Sequence, residues 1–195
     1  MKTNMTKYLE HQKKHFANHV ATLNDYGNIK VLDFKNPNSY EYAIRFLFEE
    51  DTCRLHISGD LGNLTASNYR NMVFEHFGDF VHNIGYFTEK IDCHDRNLYR
   101  YDHDEAVNEL KKRLEDAEFE DEYCSIDDKI DEIMEYFDSS DGLDSNAYDL
   151  LHEIDQDCFE YFDQIGRESS GILELYMLAF ELAVKQLNET ESASA

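Results

Sequence analysis

The spacing of hydrophobic and polar positions along this chain changes period twice. Residues 3–20 recur at helical spacing, and Asn24 to Gly27 make a turn. The period then shortens toward two. Asn28–Phe34 alternates in part and is β-branched, Tyr40–Phe48 alternates with aromatics, Cys53, Leu55 and Ile57 share one face, and Asn63–Ser67 forms a short last run. Turn residues separate these runs at Asn36–Ser39, Glu49–Asp51 and Gly59–Gly62. Four short strands joined by tight turns predict an antiparallel sheet.

After Asn68 the helical period returns and holds to the end. Val73, Phe74, Phe77, Phe80 and Val81 fall at helical spacing, and 103–122 places Val107, Leu110, Leu114 and Ala117 on one stripe. The cleanest stripe is Ile126, Ile130, Ile133, Met134 and Phe137 over residues 126–138. Ser125 precedes it as an N-cap, with Asp127 and Asp128 in the first turn, where the helix dipole favours them. Further helices are expected over 144–165 and 170–187, with 188–195 a frayed tail. The class is α+β: an N-terminal helix, a small antiparallel sheet of about four strands, then a mainly helical C-terminal half. Residues 1–100 form the first half and 101–195 an acidic helical half packed on it, as one compact domain.

Composition changes this picture through charge. The chain has 195 residues, with 42 Asp and Glu against 18 Lys and Arg, a formal charge of −24. Its 13 Tyr and 13 Phe set it apart from disordered acidic chains, which are poor in aromatics. The excess is localised. Residues 1–100 hold 13 acids and 12 bases, whereas 101–165 hold 24 acids and 4 bases. Contacts to duplex phosphates or an anionic membrane need Lys and Arg, so both partners are disfavoured and a basic partner is favoured.

The four cysteines have no C-x-x-C spacing, the N-terminus has no apolar signal-like run, and Gly171–Val184 is short and interrupted by Glu174 and Glu181. The expected location is the cytoplasm, with no membrane association and no cofactor.

The candidate binding residues are Glu115, Glu118, Glu120, Asp121, Asp127, Asp128, Asp131, Glu132, Glu135, Asp138 and Asp141. They lie on or beside helices that keep apolar faces, so the polar faces become nearly pure carboxylate. Helical neighbours three or four apart stand about 5–6 Å from each other. A carboxylate ladder of that kind imitates a row of phosphates in sign and approximate spacing, and it suits a Lys- and Arg-lined groove. The bland alternative is a solvated polar face. Against it stand the unrelieved i, i+4 repulsions, which weaken helices, and the balanced charge of the first hundred residues. Phe119, Tyr123, Tyr136 and Tyr148 are candidate anchors if exposed, and core residues otherwise.

Other constellations are weaker. His11, His15 and His19 share one helix face, but no Cys or Glu at an established ligand spacing accompanies them, and the reading as a histidine stripe without metal is favoured. Asp138–Asp144 resembles a calcium loop until Gly142 is set at its sixth position, which puts Phe137 and Tyr148 where carboxylates are required. His56, Ser58 and Asp60 are a strand and its turn rather than a triad, and no G-x-S-x-G elbow is present.

The segments Tyr42–Phe48, Leu55–Gly62, Gly85–Ile91, Ile154-Asp155 and Gly166–Ile172 resemble those of small acidic proteins encoded by phages, prophages and mobile elements of Gram-positive bacteria. The resemblance covers about residues 5–187, and its motifs carry no catalytic assignment, so no site residue is transferred from it. It implies an accessory counter-defence role, since some small acidic proteins of this setting are anti-CRISPR inhibitors of type II effectors and others oppose restriction enzymes. The resulting expectation is an inhibitor of a host nuclease, a type II CRISPR effector or its guide complex, that covers a basic nucleic-acid groove with acidic helices. The alternatives are a metal-dependent nuclease acting on guide RNA or DNA, and a phage interaction protein with no inhibitory role.

Overall fold

The computed structural model describes residues 2–117 and 125–194. Helix α1 (Lys2–Gln12) tightens into a 3-10 turn (Lys13–Phe16) and leads into strands β1 (Val20–Asp25), β2 (Ile29–Lys35), β3 (Ile44–Glu49), β4 (Arg54–Gly59) and β5 (Leu64–Ser67). Short helices α2 (Gly78–Val81) and α3 (Ile84–Thr88) precede β6 (Ile91–His94) and β7 (Tyr99–Tyr101). Then come α4 (His103–Asp116), α5 (Ile126–Met134), the hairpin β8 (Phe137–Asp138) and β9 (Gly142–Leu143), and α6 (Ser145–His152). Two 3-10 turns (Cys158–Glu160, Phe162–Gln164), β10 (Arg167–Ser169) and the long α7 (Ile172–Ser194) complete the chain. These elements form two compact units, residues 1–97 with 171–195 and residues 98–170.

The first unit is a six-stranded antiparallel sheet in the order β1 to β6. This corrects the expected sheet of about four strands. The two additional strands are edge strands. On β1 only Ala21, Leu23 and Asn24 are half-buried, and on β6 only Ile91 is, so neither shows the alternation of apolar residues that marks an inner strand. The end of the expected N-terminal helix, up to residue 20, is likewise replaced by the 3-10 turn and the start of β1. Inner strands follow the period of two. Leu32, Phe34, Ile44, Phe46, Phe48, Leu55, Ile57, Leu64 and Ala66 are all buried, while Asp33, Arg45 and Ser58 pair across the opposite face.

Helix α7 supplies the second layer through Tyr176, Ala179, Phe180 and Ala183. The ring of Phe180 lies 4.8 Å from Phe77 and 5.5 Å from Phe46, both edge-to-face, the geometry aromatic quadrupoles favour. Phe77 comes from the segment expected to be helical around 73–81. There only Gly78–Val81 is α-helix, and the phenylalanines enter the core from successive turns. Gln186 of α7 also seals the β1 edge. Its Oε1 accepts from the Ala21 N–H, and its Nε2 donates to the His19 carbonyl at 3.2 Å. An edge strand so capped offers fewer free backbone groups to another chain.

The second unit has its own core of Ala106, Leu110, Leu114, Ile130, Ile133, Leu143, Ala147, Leu151, Cys158 and Ile165. β7 pairs with β10 and β8 with β9, both antiparallel, so this half holds strands as well as helices. The expected helix over 144–165 ends at His152, and the chain finishes that stretch in 3-10 turns.

Candidate acidic interaction surface

Each helix of residues 98–170 starts on a side-chain cap. Asp102 accepts from the Glu105 N–H at 3.0 Å to open α4, and Asp144 accepts from the Asn146 and Ala147 N–H groups to open α6. Ser125 opens α5 with a full capping box, in which its hydroxyl accepts from the Asp128 N–H at 3.2 Å and the Asp128 carboxylate accepts from the Ser125 N–H at 3.2 Å. The Ser125 hydroxyl and then its N–H hold the Asp128 carboxyl below the ordinary carboxylate value. Ser125→Ala removes the cap and is expected to destabilise α5 by about 1 kcal/mol, read as a lower urea midpoint at unchanged slope.

The caps and the apolar stripes fix which way each carboxylate faces. Ile130 and Ile133 of α5 point inward, so Asp127, Asp128, Asp131, Glu132 and Glu135 are exposed, as is Glu115 on α4. Asp138 and Asp141 are exposed too, but they sit in the β8–β9 hairpin and not on a helix. There the Asp138 carboxylate accepts from the Ser140 N–H at 2.7 Å. Helix α5 therefore stops at Met134, earlier than the expected 138. Glu118, Glu120 and Asp121, together with Phe119 and Tyr123, lie outside the described residues. Of the aromatic anchors that are described, Tyr136 is 37% exposed, whereas Tyr148 stacks on His152 and meets Phe162 edge-on, which makes it a packing residue. Phe159 is 62% exposed between Cys158 and Glu160. In the sequence it is indistinguishable from the half-buried aromatics Tyr161 and Phe162 that follow it and pack against the core.

Residues 98–170 carry 25 acidic and 6 basic side chains, a formal −19 of the chain's −24. Most of those cations are engaged. Lys111 meets Asp127 at 3.0 Å, Lys129 meets Glu132 at 2.8 Å and Arg100 meets Glu168 at 2.9 Å. Asp127 and then the neighbouring Glu115 raise the Lys111 ammonium above its ordinary value. Arg113 stacks 4.0 Å over Tyr161 and Arg167 3.4 Å over Tyr99. Among the described residues, Asp131, Glu135 and Asp141 have no ion pair. The result is a compact unit with an outward anionic field and few cations left to quench it.

The other constellations do not assemble into sites. The 3-10 turn after Gln12 breaks the histidine spacing. His11 and His15 lie edge-on at 6.2 Å, His15 stacks on Tyr42 at 4.4 Å, and His19 turns into the interior at 4% exposure. Among the described residues no three His, Cys, Asp or Glu side chains converge on a metal-sized site. The Asp60 carboxylate accepts from the Tyr42 N–H at 2.8 Å, and His56 lies 3.3 Å from the Thr65 hydroxyl and 3.4 Å from Glu49, so the histidine and the aspartate of the triad-like sequence serve separate contacts. Burial pushes the Cys158 thiol up, which disfavours the reactive thiolate.

Fold and surface define an α+β protein with a segregated acidic unit. No protein-family model matches the chain, and no curated protein or solved structure is significantly similar to it. Among the described residues no helix is long and apolar enough to cross a membrane.

Proposed function

We propose that this chain is a counter-defence inhibitor that lays the acidic surface of residues 98–170 into the Lys- and Arg-lined groove of a host nuclease. The target that accords with the phage-protein resemblance is a type II CRISPR effector or its guide complex in the host cytoplasm. The observation that supports this most is the segregation of charge: one compact unit with its own core holds −19, and its described ladder residues point to solvent. A fold has no need of that arrangement, since like charges at helical spacing oppose helix formation. Electrostatic steering also speeds association with a basic groove.

The test is binding of the full chain to a purified effector, with and without guide, in a salt series from roughly 50 mM to roughly 500 mM. Affinity is expected to fall steeply with salt, and guide or target nucleic acid is expected to compete. Tight binding that ignores salt, or binding that leaves nucleic-acid access unchanged, refutes the groove reading. A pull-down of the tagged chain from an infected host that recovers no nucleic-acid-handling protein counts against the functional class.

A further inference from the structure

His19 occupies the point where the N-terminal helical segment meets the sheet and α7. Its Nε2 lies 3.1 Å from the Tyr42 carbonyl, which can only accept, so Nε2 is the protonated nitrogen. Nδ1 is consequently a bare lone pair. It is sealed from solvent and has no hydrogen-bond partner among the described residues. Phe16 and Phe34 pack around the imidazole with ring centroids at 5.2 Å each. The anchor on the far side is rigid as well. Tyr42 sits at a φ of 55°, unusual for a residue other than glycine, and its N–H is held by Asp60.

We propose that His19 is a proton-operated latch that holds residues 2–19 against the sheet and α7 and releases them on acidification. A proton on Nδ1 creates a buried N–H with no acceptor, so the charged ring must swing toward water. That movement breaks the bond to the Tyr42 carbonyl and disturbs the adjacent His19 carbonyl, on which Gln186 of α7 closes. Strand β1 keeps its pairing with β2, so the movement is confined to α1 and the 3-10 turn. A cavity of about 230 Å³ beside His19 gives the segment room to separate, and release uncovers Phe34 and Leu182 in its wall.

Burial, not the surrounding charges, opposes protonation, because Lys13 is paired with Glu10 and Lys185 with Glu189. Lys13 of the 3-10 turn and Lys185 of α7 line the same cavity. The carboxylate there, Glu189, is 68% exposed and lies 3.9 Å from Lys185. On the Tyr42 side stand His15, stacked on the phenol ring, and Asp60, held by the backbone. Burial lowers the His19 pKa from 6.5, against smaller raising contributions from the Tyr42 and Glu41 carbonyls. The sign follows. The neutral form is the folded one, so the latch is fully closed above 6.5 and weakens as pH falls from there toward the lowered folded value.

The test is amide hydrogen exchange of the full chain between about pH 7.5 and about pH 5, corrected for intrinsic exchange, with NMR titration of the imidazoles. Residues 2–19 should lose protection selectively, by up to about tenfold per pH unit, the limit for one proton. His19 should titrate below 6.5 from the Nε2–H tautomer. His19→Gln retains a donor for the Tyr42 carbonyl and cannot titrate, so it should abolish the pH dependence, whereas His15→Gln should preserve it. The proposal is overturned if His19 titrates at or above 6.5, if protection falls evenly over the sheet unit, or if His19→Gln keeps the effect. Should His19→Gln not fold, the native titration and exchange profile decide the matter by themselves.

Discussion

Gly59→Ala is expected to destabilise the sheet unit by roughly 3–5 kcal/mol, the sum of backbone strain and overpacking against atoms that cannot move aside. Gly59 ends β4 at a φ of 148°, and a Cβ there would stand 2.0 Å from the Ala43 carbonyl oxygen and 2.9 Å from its carbon. The obstacle is backbone, so no rotamer change relieves it. The same oxygen accepts from the Asp60 N–H at 2.9 Å, and Asp60 in turn holds Tyr42. Displacing Ala43 therefore disturbs the β3–β4 register, where Ile44 faces Gly59, and the Tyr42 anchor together. Gly78→Ala is the control. It lies in α2 with nothing within 4 Å of the added carbon, and alanine restricts the unfolded chain, so it is expected to be neutral or stabilising by about 0.5 kcal/mol. Urea unfolding followed by circular dichroism distinguishes the two. A midpoint for Gly59→Ala equal to that of Gly78→Ala would show that this junction yields easily.

The turn that contains Gly59 is legible in the sequence because Gly-Asp-Leu-Gly interrupts two alternating runs. The four inner strands are legible for the same reason: each buries alternate side chains, and burial imposes the period. Edge strands escape that logic. Val20–Asp25 draws its definition from β2 and from Gln186, which lies far along the chain, so no local pattern announces it. The histidine spacing that suggests a continued helix ends where Phe16 and His19 find partners on β2 and Tyr42. The acidic surface is more legible than the fold around it. Charge is read directly from composition, and which carboxylates face outward follows from the apolar stripe opposite them. Where the stripe stops being helical the inference fails, as at Asp138 and Asp141, which a hairpin places. That hairpin turns over Ser139–Asp141 and resumes pairing at Gly142, with φ 79° and the Tyr101 ring 2.7 Å from where a Cβ would be. Phe159 escapes for another reason, because exposure of one phenylalanine beside half-buried aromatics depends on the rotation of a single 3-10 turn.

Glu135→Lys separates an acidic surface maintained for binding from one that is merely solvated. Glu135 caps the C-terminus of α5, where the helix dipole disfavours an anion, and Asp131 stands four residues before it with the same sign. Lysine reverses both effects, because it suits the dipole and forms an Asp-to-Lys i, i+4 pair in the favourable orientation. Stability is expected to rise by about 0.5–1 kcal/mol, with a smaller gain for Glu135→Gln. Affinity for the proposed basic partner is expected to fall about tenfold or more, with a shallower salt dependence. A simple solvated face yields the first effect without the second. Opposite signs for stability and binding would identify the carboxylate at this position as one held against the interest of its own helix. Equal binding by the native chain and Glu135→Lys would remove α5 from the interface. A loss of stability in both variants would mean that the like-charge repulsion at this helix end is already relieved, and the argument from unrelieved charge would fall with it.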